Sequence, residues 1–187
     1  MRVVSGEKRG LKLHEVPSTV TCRPTADKVK EAMFDIIRFR LNGRVLDLFG
    51  GTGQLGIEAL SNGCESVVIC DNNADSIGLI TRNVAKAKFE SRAKVLHVDY
   101  KRFLKHQARK HEFNVIFLDP PYAGELLEKS MKYIDEGEVL APDGIVVAES
   151  AAETEIPDVF GSLKLEKRYK YGTVAVRIYS YGKEDAQ

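Results

Sequence analysis

Asp119-Pro120-Pro121-Tyr122 is the stretch whose residue types and order are best suited to chemistry. It follows the apolar run Phe113-Asn114-Val115-Ile116-Phe117-Leu118, which reads as a buried strand. Each proline fixes its own φ and gives up its N–H. Pro120 also holds Asp119 in an extended conformation. The corner therefore cannot relax into a helix, and it presents two acceptors, the Asp119 carboxylate and the Pro120 carbonyl. Tyr122 adds a flat ring beside them. Two acceptors next to a stacking ring suit a planar base with an exocyclic NH2. Such an amine is a poor nucleophile because its lone pair is delocalised into the ring. Accepting both N–H bonds turns that lone pair toward an electrophile. The same four residues also fit a strand-ending turn with a surface tyrosine, so the motif alone leaves both readings open.

A second stretch bears on which electrophile is present. Gly51-Thr52-Gly53-Gln54-Leu55-Gly56 matches G-x-G-x-x-G, and Asp71 lies 20 residues past Gly51. To the letter this is a dinucleotide fingerprint, with an acid for the ribose hydroxyls. Asp47, just upstream of the loop, separates the candidates. Its carboxylate would repel a bound pyrophosphate but attract the ammonium of a methionine moiety. The pattern therefore favours S-adenosylmethionine over a nicotinamide nucleotide. In this reading Asp71 takes the ribose hydroxyls, and Asp99 with Tyr100 borders the adenine. For Asp71 and Asp99, capping of the following helix is an equal alternative.

Methyl transfer to nitrogen needs no initial general base, because the methylated amine becomes acidic and sheds its proton afterwards. Catalysis then rests on positioning and electrostatics. Methylation at a pyrimidine carbon would call for a cysteine nucleophile, and none of Cys22, Cys64 or Cys70 lies in the Asp-Pro-Pro-Tyr loop. A paired base would have to be flipped out at a cost of a few kcal/mol. Stacking on Tyr122 would return roughly 1–3 kcal/mol.

The elements that must position these residues alternate along the chain. Strands are expected at Val45 to Phe49, Val67 to Cys70, Val95 to Val98, Phe113 to Leu118 and Ile145 to Ala148. Between them lie helices around Leu55 to Leu60, Ile77 to Ala87, Phe103-Leu104 and Leu126 to Ile134. The turn Pro142-Asp143-Gly144 leads into the last of these strands, and Leu163 to Tyr171 with Thr173 to Tyr181 forms an antiparallel hairpin. Alternation of this kind implies a parallel doubly wound α/β sheet, whose ligands bind at the C-terminal strand ends. Asp47, Asp71, Asp99 and Asp119 all fall at or just after such ends.

Ahead of this pattern, Met1 to Val4 and Leu11 to Val16 read as a short hairpin. Arg23-Pro24-Thr25 then opens a helix with Thr25 as N-cap. Its apolar face is Val29, Ala32, Met33, Ile36 and Ile37, and Asn42-Gly43 ends it.

Composition narrows the setting. The 187 residues carry 43% hydrophobic content, enough for one α/β domain. No run of about 18 apolar residues is present to span a membrane, and the N-terminus lacks a secretory h-region. An odd number of cysteines without C-x-x-C spacing reads as reduced thiols in a cytoplasmic protein without a metal site. The net charge is only +1, yet residues 1–30 hold seven basic side chains against three acidic ones. A basic end on a mildly acidic body suggests a surface for a polyanion, although a solvated hairpin would look the same.

Taken together, Asp47-x-Phe49-x-Gly51-x-Gly53 and Asp119-Pro120-Pro121-Tyr122 resemble the class I S-adenosylmethionine-dependent amino-methyltransferases. Further motifs resemble, more narrowly, the bacterial 16S rRNA (guanine-N2)-methyltransferase family. They are Arg2-Val3-Val4-Ser5-Gly6, Arg23-Pro24-Thr25 followed by Lys28, Val29, Glu31 and Phe34-Asp35, and the closing Tyr171-Gly172-Thr173. The resemblance covers essentially the whole chain. It implies a Rossmann-like fold: a seven-stranded, mostly parallel sheet with an antiparallel C-terminal hairpin and a small N-terminal hairpin. The expected division is a basic extension over 1–22, a methyltransferase domain over 23–182 and a tail over 183–187.

The resemblance further implies Asp119, Pro120, Pro121 and Tyr122 as the catalytic corner. Around the cofactor it implies Arg23, Thr25, Asp47, Phe49, Gly51, Gly53, Asp71, Asn72, Asp99 and Tyr100. Arg2, Lys8, Arg9 and Lys12 would meet RNA, with 16S rRNA in a partly assembled small subunit as substrate. It departs at Asp71, where many relatives carry glutamate. The Asp-Pro-Pro-Tyr motif is shared with DNA adenine methyltransferases, which stand as an alternative. A non-catalytic RNA-binding protein with a retained cofactor fold is another.

Overall fold

The computed structural model describes residues 1–14, 27–121 and 124–182. The expected N-cap Thr25, the stacking residue Tyr122, Arg23, Cys22, the hairpin end at Val16 and the tail 183–187 lie outside the described residues.

Short β-branched and aliphatic runs form a single sheet in the order β3-β2-β1-β4-β5-β8-β7-β6. Five strands are parallel: β1 (Arg44–Asp47), β2 (Ser66–Asp71), β3 (Ala93–His97), β4 (Phe113–Leu118) and β5 (Leu140–Ala151). The hairpin of β7 (Leu163–Tyr171) and β8 (Val174–Tyr181) completes the sheet by inserting β8 antiparallel between β5 and β7. All seven expected strands are present. The eighth, β6 (Val159–Phe160), pairs with the start of β7 and is too short to carry a periodic signal. Pro142-Asp143-Gly144 lies in an irregularity inside β5, where the register jumps from Phe113↔Leu140 to Val115↔Ile145.

Helices α1 (Asp27–Ile37), α2 (Gln54–Ser61) and α3 (Ala74–Ala87) bury their apolar stripes on one face of the sheet. On the other face lie α4 (Tyr100–His106) and α5 (Glu125–Glu136). The core continues into the N-terminal segment through the buried Val3 and Leu13.

Over the described residues the N-terminal hairpin pairs Arg2 with Lys12 in an antiparallel bridge, flanked by the Val3 amide donating to the Leu11 carbonyl at 3.0 Å and the Leu13 amide to the Met1 carbonyl at 3.1 Å, around a 3₁₀ turn at Gly6–Lys8. One detail differs from the sequence expectation. In α1 the buried stripe is rotated: Lys30 and Phe34 are inside, while Ala32 and Ile36 are only half-buried. Phe34 turns inward because its ring meets Phe117 of β4, with centroids 5.5 Å apart. Lys30 is tolerated there because its ammonium meets Asp27 at 3.2 Å and the Arg2 carbonyl at 3.3 Å.

Candidate active site at the C-terminal rim

Strand order reverses between β1 and β4, and the crevice outside their C-terminal ends is where open α/β sheets bind ligands. Asp47 ends β1 and Asp119 follows β4, so the two acids flank this switch point. Asp47 is 1% exposed. Its Oδ2 accepts a hydrogen bond from the Gly56 amide at 3.1 Å, while buried Oδ1 has no partner among the described residues. Burial is the main reason its carboxyl is pushed up to about 7; the negative charges of Asp119 and Asp71 add to the effect, and the backbone amides of Gly56 and Phe49 oppose it. A buried acid with one orphaned oxygen is costly. A cationic ligand group would repay that cost.

The loop after β1 is shaped for close approach. Gly51 and Gly53 have φ of +56° and +77°, a region side chains rarely adopt. The Gly53 amide donates to the Gly50 carbonyl at 2.7 Å, and α2 starts at the next residue. Asp71, at the end of β2, accepts from the Gly51 amide at 2.8 Å through Oδ2 and from the Asn73 amide at 2.8 Å through Oδ1. Exposed Asn72 sets its backbone carbonyl 3.1 Å from His97 Nε2.

Asp99 behaves as the helix cap weighed above. Its Oδ1 accepts from the amides of Lys101 at 3.0 Å and Arg102 at 3.2 Å. The adjoining Tyr100 ring is half-exposed and lies 5.7 Å from that of Phe49 and 6.4 Å from that of Tyr133. These rings form an aromatic wall against the core on the α4/α5 face of the sheet. Pro120 is buried, Pro121 exposed and Asp119 half-exposed, so the corner after β4 is anchored at one residue and open at its neighbours.

The structure thus brings together Asp47, Gly51, Gly53 and Asp71, places Asp119 close enough to bear on Asp47, and sets Phe49 against Tyr100. The basic residues of the N-terminal segment are spread more widely. Arg2 pairs with Asp27 at 3.1 Å, Lys8 lies 5.4 Å from the centroid of the Phe89 ring, and Arg9 and Lys12 are exposed.

A buried polar network, not evident from the sequence alone, fastens this segment to the loop. Fully buried Glu58 of α2 accepts from the amides of Val4 at 2.9 Å and Ser5 at 2.6 Å, and from the Ser5 hydroxyl at 2.7 Å. Gln54 donates to the Arg2 carbonyl at 2.8 Å. Fully buried Asn83 of α3 accepts from the His14 amide at 2.7 Å and donates to the Thr52 carbonyl at 3.0 Å. The available signal was a polar residue inside an apolar helical stripe, as in Leu55-Gly56-Ile57-Glu58-Ala59-Leu60.

Parallel strands with helices on both faces, an antiparallel closing hairpin and a glycine loop at the switch point define the class I methyltransferase fold. Within that class, the chain belongs to the family described as conserved hypothetical protein 95, which matches residues 1–180. It is 43% identical to YlbH of Bacillus subtilis (strain 168), provisionally an rRNA methyltransferase, over 96% of this chain and 98% of that one. It is 30% identical to ribosomal RNA small subunit methyltransferase D of Escherichia coli (strain K12), over 100% of this chain and 94% of that one. Among solved structures, Escherichia coli yhhF, described provisionally as a methyltransferase, superposes with a TM-score of 0.84 at 28% identity, covering 97% of each chain. No helix among the described residues is long and apolar enough to cross a membrane.

Proposed function

We propose that the chain is an S-adenosylmethionine-dependent methyltransferase acting on the exocyclic N2 amine of a guanine in 16S rRNA of the small ribosomal subunit. The observation that carries this reading is the orphaned, buried Oδ1 of Asp47 beside a glycine loop, next to the rigid acidic corner at Asp119. The relatives named for small-subunit rRNA methylation support the substrate class.

The residues at the rim fit that cofactor. Asp47 would receive the methionine ammonium, the Gly51–Gly53 backbone would admit it closely, and Asp71 and Asn72 would face the ribose. Phe49 and Tyr100, with Asp99, would wall the adenine, and Arg23 and Thr25 would border the same site. When bound, the cofactor supplies an electrophilic methyl group on a sulfonium. Asp119 and the Pro120 carbonyl would each accept a hydrogen bond from the amine N–H groups and so aim the nitrogen lone pair. Pro121 keeps that corner rigid, and Tyr122 stacks on the base. The proton released after transfer has Asp119 or solvent as its acceptor, so no separate base is needed.

Residues 1–22, with Arg2, Lys8, Arg9 and Lys12, would serve as an RNA-facing arm on the catalytic domain of residues 23–182. Such work places the protein in the cytoplasm. The test is to incubate it with labelled cofactor and undermodified small subunits and to identify the labelled nucleoside by mass spectrometry. Label in N2-methylguanosine of 16S rRNA is expected. Label in a nucleoside other than N2-methylguanosine, or none, would overturn the assignment.

A further inference from the structure

The far edge of the sheet carries a feature that the cofactor rim and the N-terminal arm do not use. Strand β6 covers β7 only at Leu163 and Lys164, so from Glu166 to Tyr171 no strand lies along the outer edge of β7 among the described residues. This open stretch reads Glu166-Lys167-Arg168-Tyr169-Lys170-Tyr171.

Its single acid is already engaged. Glu166 pairs with Arg40 at 2.6 Å and accepts from the Ser180 hydroxyl at 2.5 Å. Arg168 pairs with Asp158 at 2.5 Å. Lys167 and Lys170 are exposed and make no ion pair among the described residues. The rings of Tyr169 and Tyr171 are half-exposed and nearly parallel, with centroids 6.5 Å apart and planes 14° apart. The edge is therefore basic, and because side chains alternate along β7, Lys167 shares the face of Tyr169 and Tyr171 while Arg168 and Lys170 lie on the other, so a lysine stands on each side of the open edge.

Its position matters as much as its composition. Arg168 pairs with Arg177, Arg177 with Ala148 and Ala148 with Leu118, so Arg168 stands level with the residue before Asp119. Because β7 runs in the same direction as β4, Lys170 and Tyr171 lie beyond that level, toward the catalytic rim. Three strand spacings separate β7 from β4, about 14 Å. A strip at that distance is within reach of nucleotides that would flank a base held at Asp119.

We propose that the open edge of β7, through Lys167, Lys170, Tyr169 and Tyr171, is a second RNA-binding strip that holds an unpaired segment beside the target nucleotide. The inference rests on the methyltransferase reading above and names a substrate contact that the reading does not contain. The lysines bind phosphates, and the tyrosine rings supply stacking faces that any base can use.

The test compares Lys167→Ala/Lys170→Ala, Lys167→Arg/Lys170→Arg and Tyr171→Ala with the unaltered protein. Affinity for undermodified small subunits is measured at several salt concentrations, with cofactor affinity by calorimetry as the check on folding. The alanine pair is expected to lower the salt slope by about 1.4, at about 0.7 per single-strand phosphate. The arginine pair should retain the slope, and Tyr171→Ala should weaken binding roughly tenfold. Cofactor affinity should be unchanged throughout. An unchanged slope in the alanine pair would overturn the strip. So would an alanine pair that binds RNA normally but self-associates, since the lysines would then only guard the edge against strand pairing. Lack of RNA binding by the unaltered protein would overturn the methyltransferase reading along with it.

Discussion

Asp71 Oδ2 accepts a hydrogen bond from the Gly51 amide at 2.8 Å, so the acid ending β2 holds the loop that follows β1. The carboxylate proposed to meet ribose thus also fixes the glycine turn. Asp71→Ala should weaken cofactor binding more than the loss of a ribose contact alone, because the loop loses a charge-assisted bond of about 1.5–3 kcal/mol. Calorimetry with the cofactor and with free adenosine separates the two contributions. Equal losses for both ligands would show that the loop bond is unimportant.

Asp47 gives a signed pH dependence. Its folded-state value of about 7 lies above the ordinary carboxylate range near 3.9. The folded, ligand-free protein therefore holds the proton more tightly than the unfolded chain. Stability from this group is present at low pH and is lost as pH rises through that window. Urea midpoints should fall across it, and Asp47→Asn should abolish the fall. Affinity for a cationic cofactor should move oppositely, strengthening as Asp47 ionises. A flat affinity profile from about pH 5 to about pH 8, on either side of the folded-state value, would exclude the ammonium contact.

Asp119→Ala should abolish transfer while leaving the glycine loop intact. It should also remove one of the negative charges that push Asp47 up, so the pH midpoint of cofactor binding should move lower. Single-turnover assays and calorimetry across pH report both effects. Full turnover by the variant would refute the amine-acceptor role.

Glu58→Ala should free the N-terminal segment. It would leave the buried amide of Val4 and the half-buried amide of Ser5 without their acceptor, at about 1–3 kcal/mol for the buried group and less for the other. Urea denaturation should show the loss, and amide exchange should accelerate over residues 1–8. An unchanged midpoint would mean that water replaces the carboxylate.

Asn83→Ala should loosen the segment and the loop together, since one carboxamide bridges His14 and Thr52. Faster amide exchange at both places is expected. A change at only one would show that the bridge does not couple them.

Most of the scaffold could be read from the chain because hydrophobic alternation and helical spacing are local signals. The four aspartates at consecutive strand ends were legible for the same reason. Lys30 and Phe34 were not, because what turns α1 is a pairing with Phe117 and Arg2 that lies far away in sequence. Glu58 and Asn83 are not legible locally, because the partners that explain a buried polar residue lie far away in sequence. Asp99 shows the converse, since capping of α4 and a place at the rim give one sequence pattern.

The insertion of β8 between β5 and β7 has a consequence for synthesis. Until the stretch around Val174–Tyr181 has emerged from the ribosome, β5 has no neighbour on that side, and its backbone offers an adhesive ledge. A nascent chain stalled before that point would therefore be a natural client for chaperones.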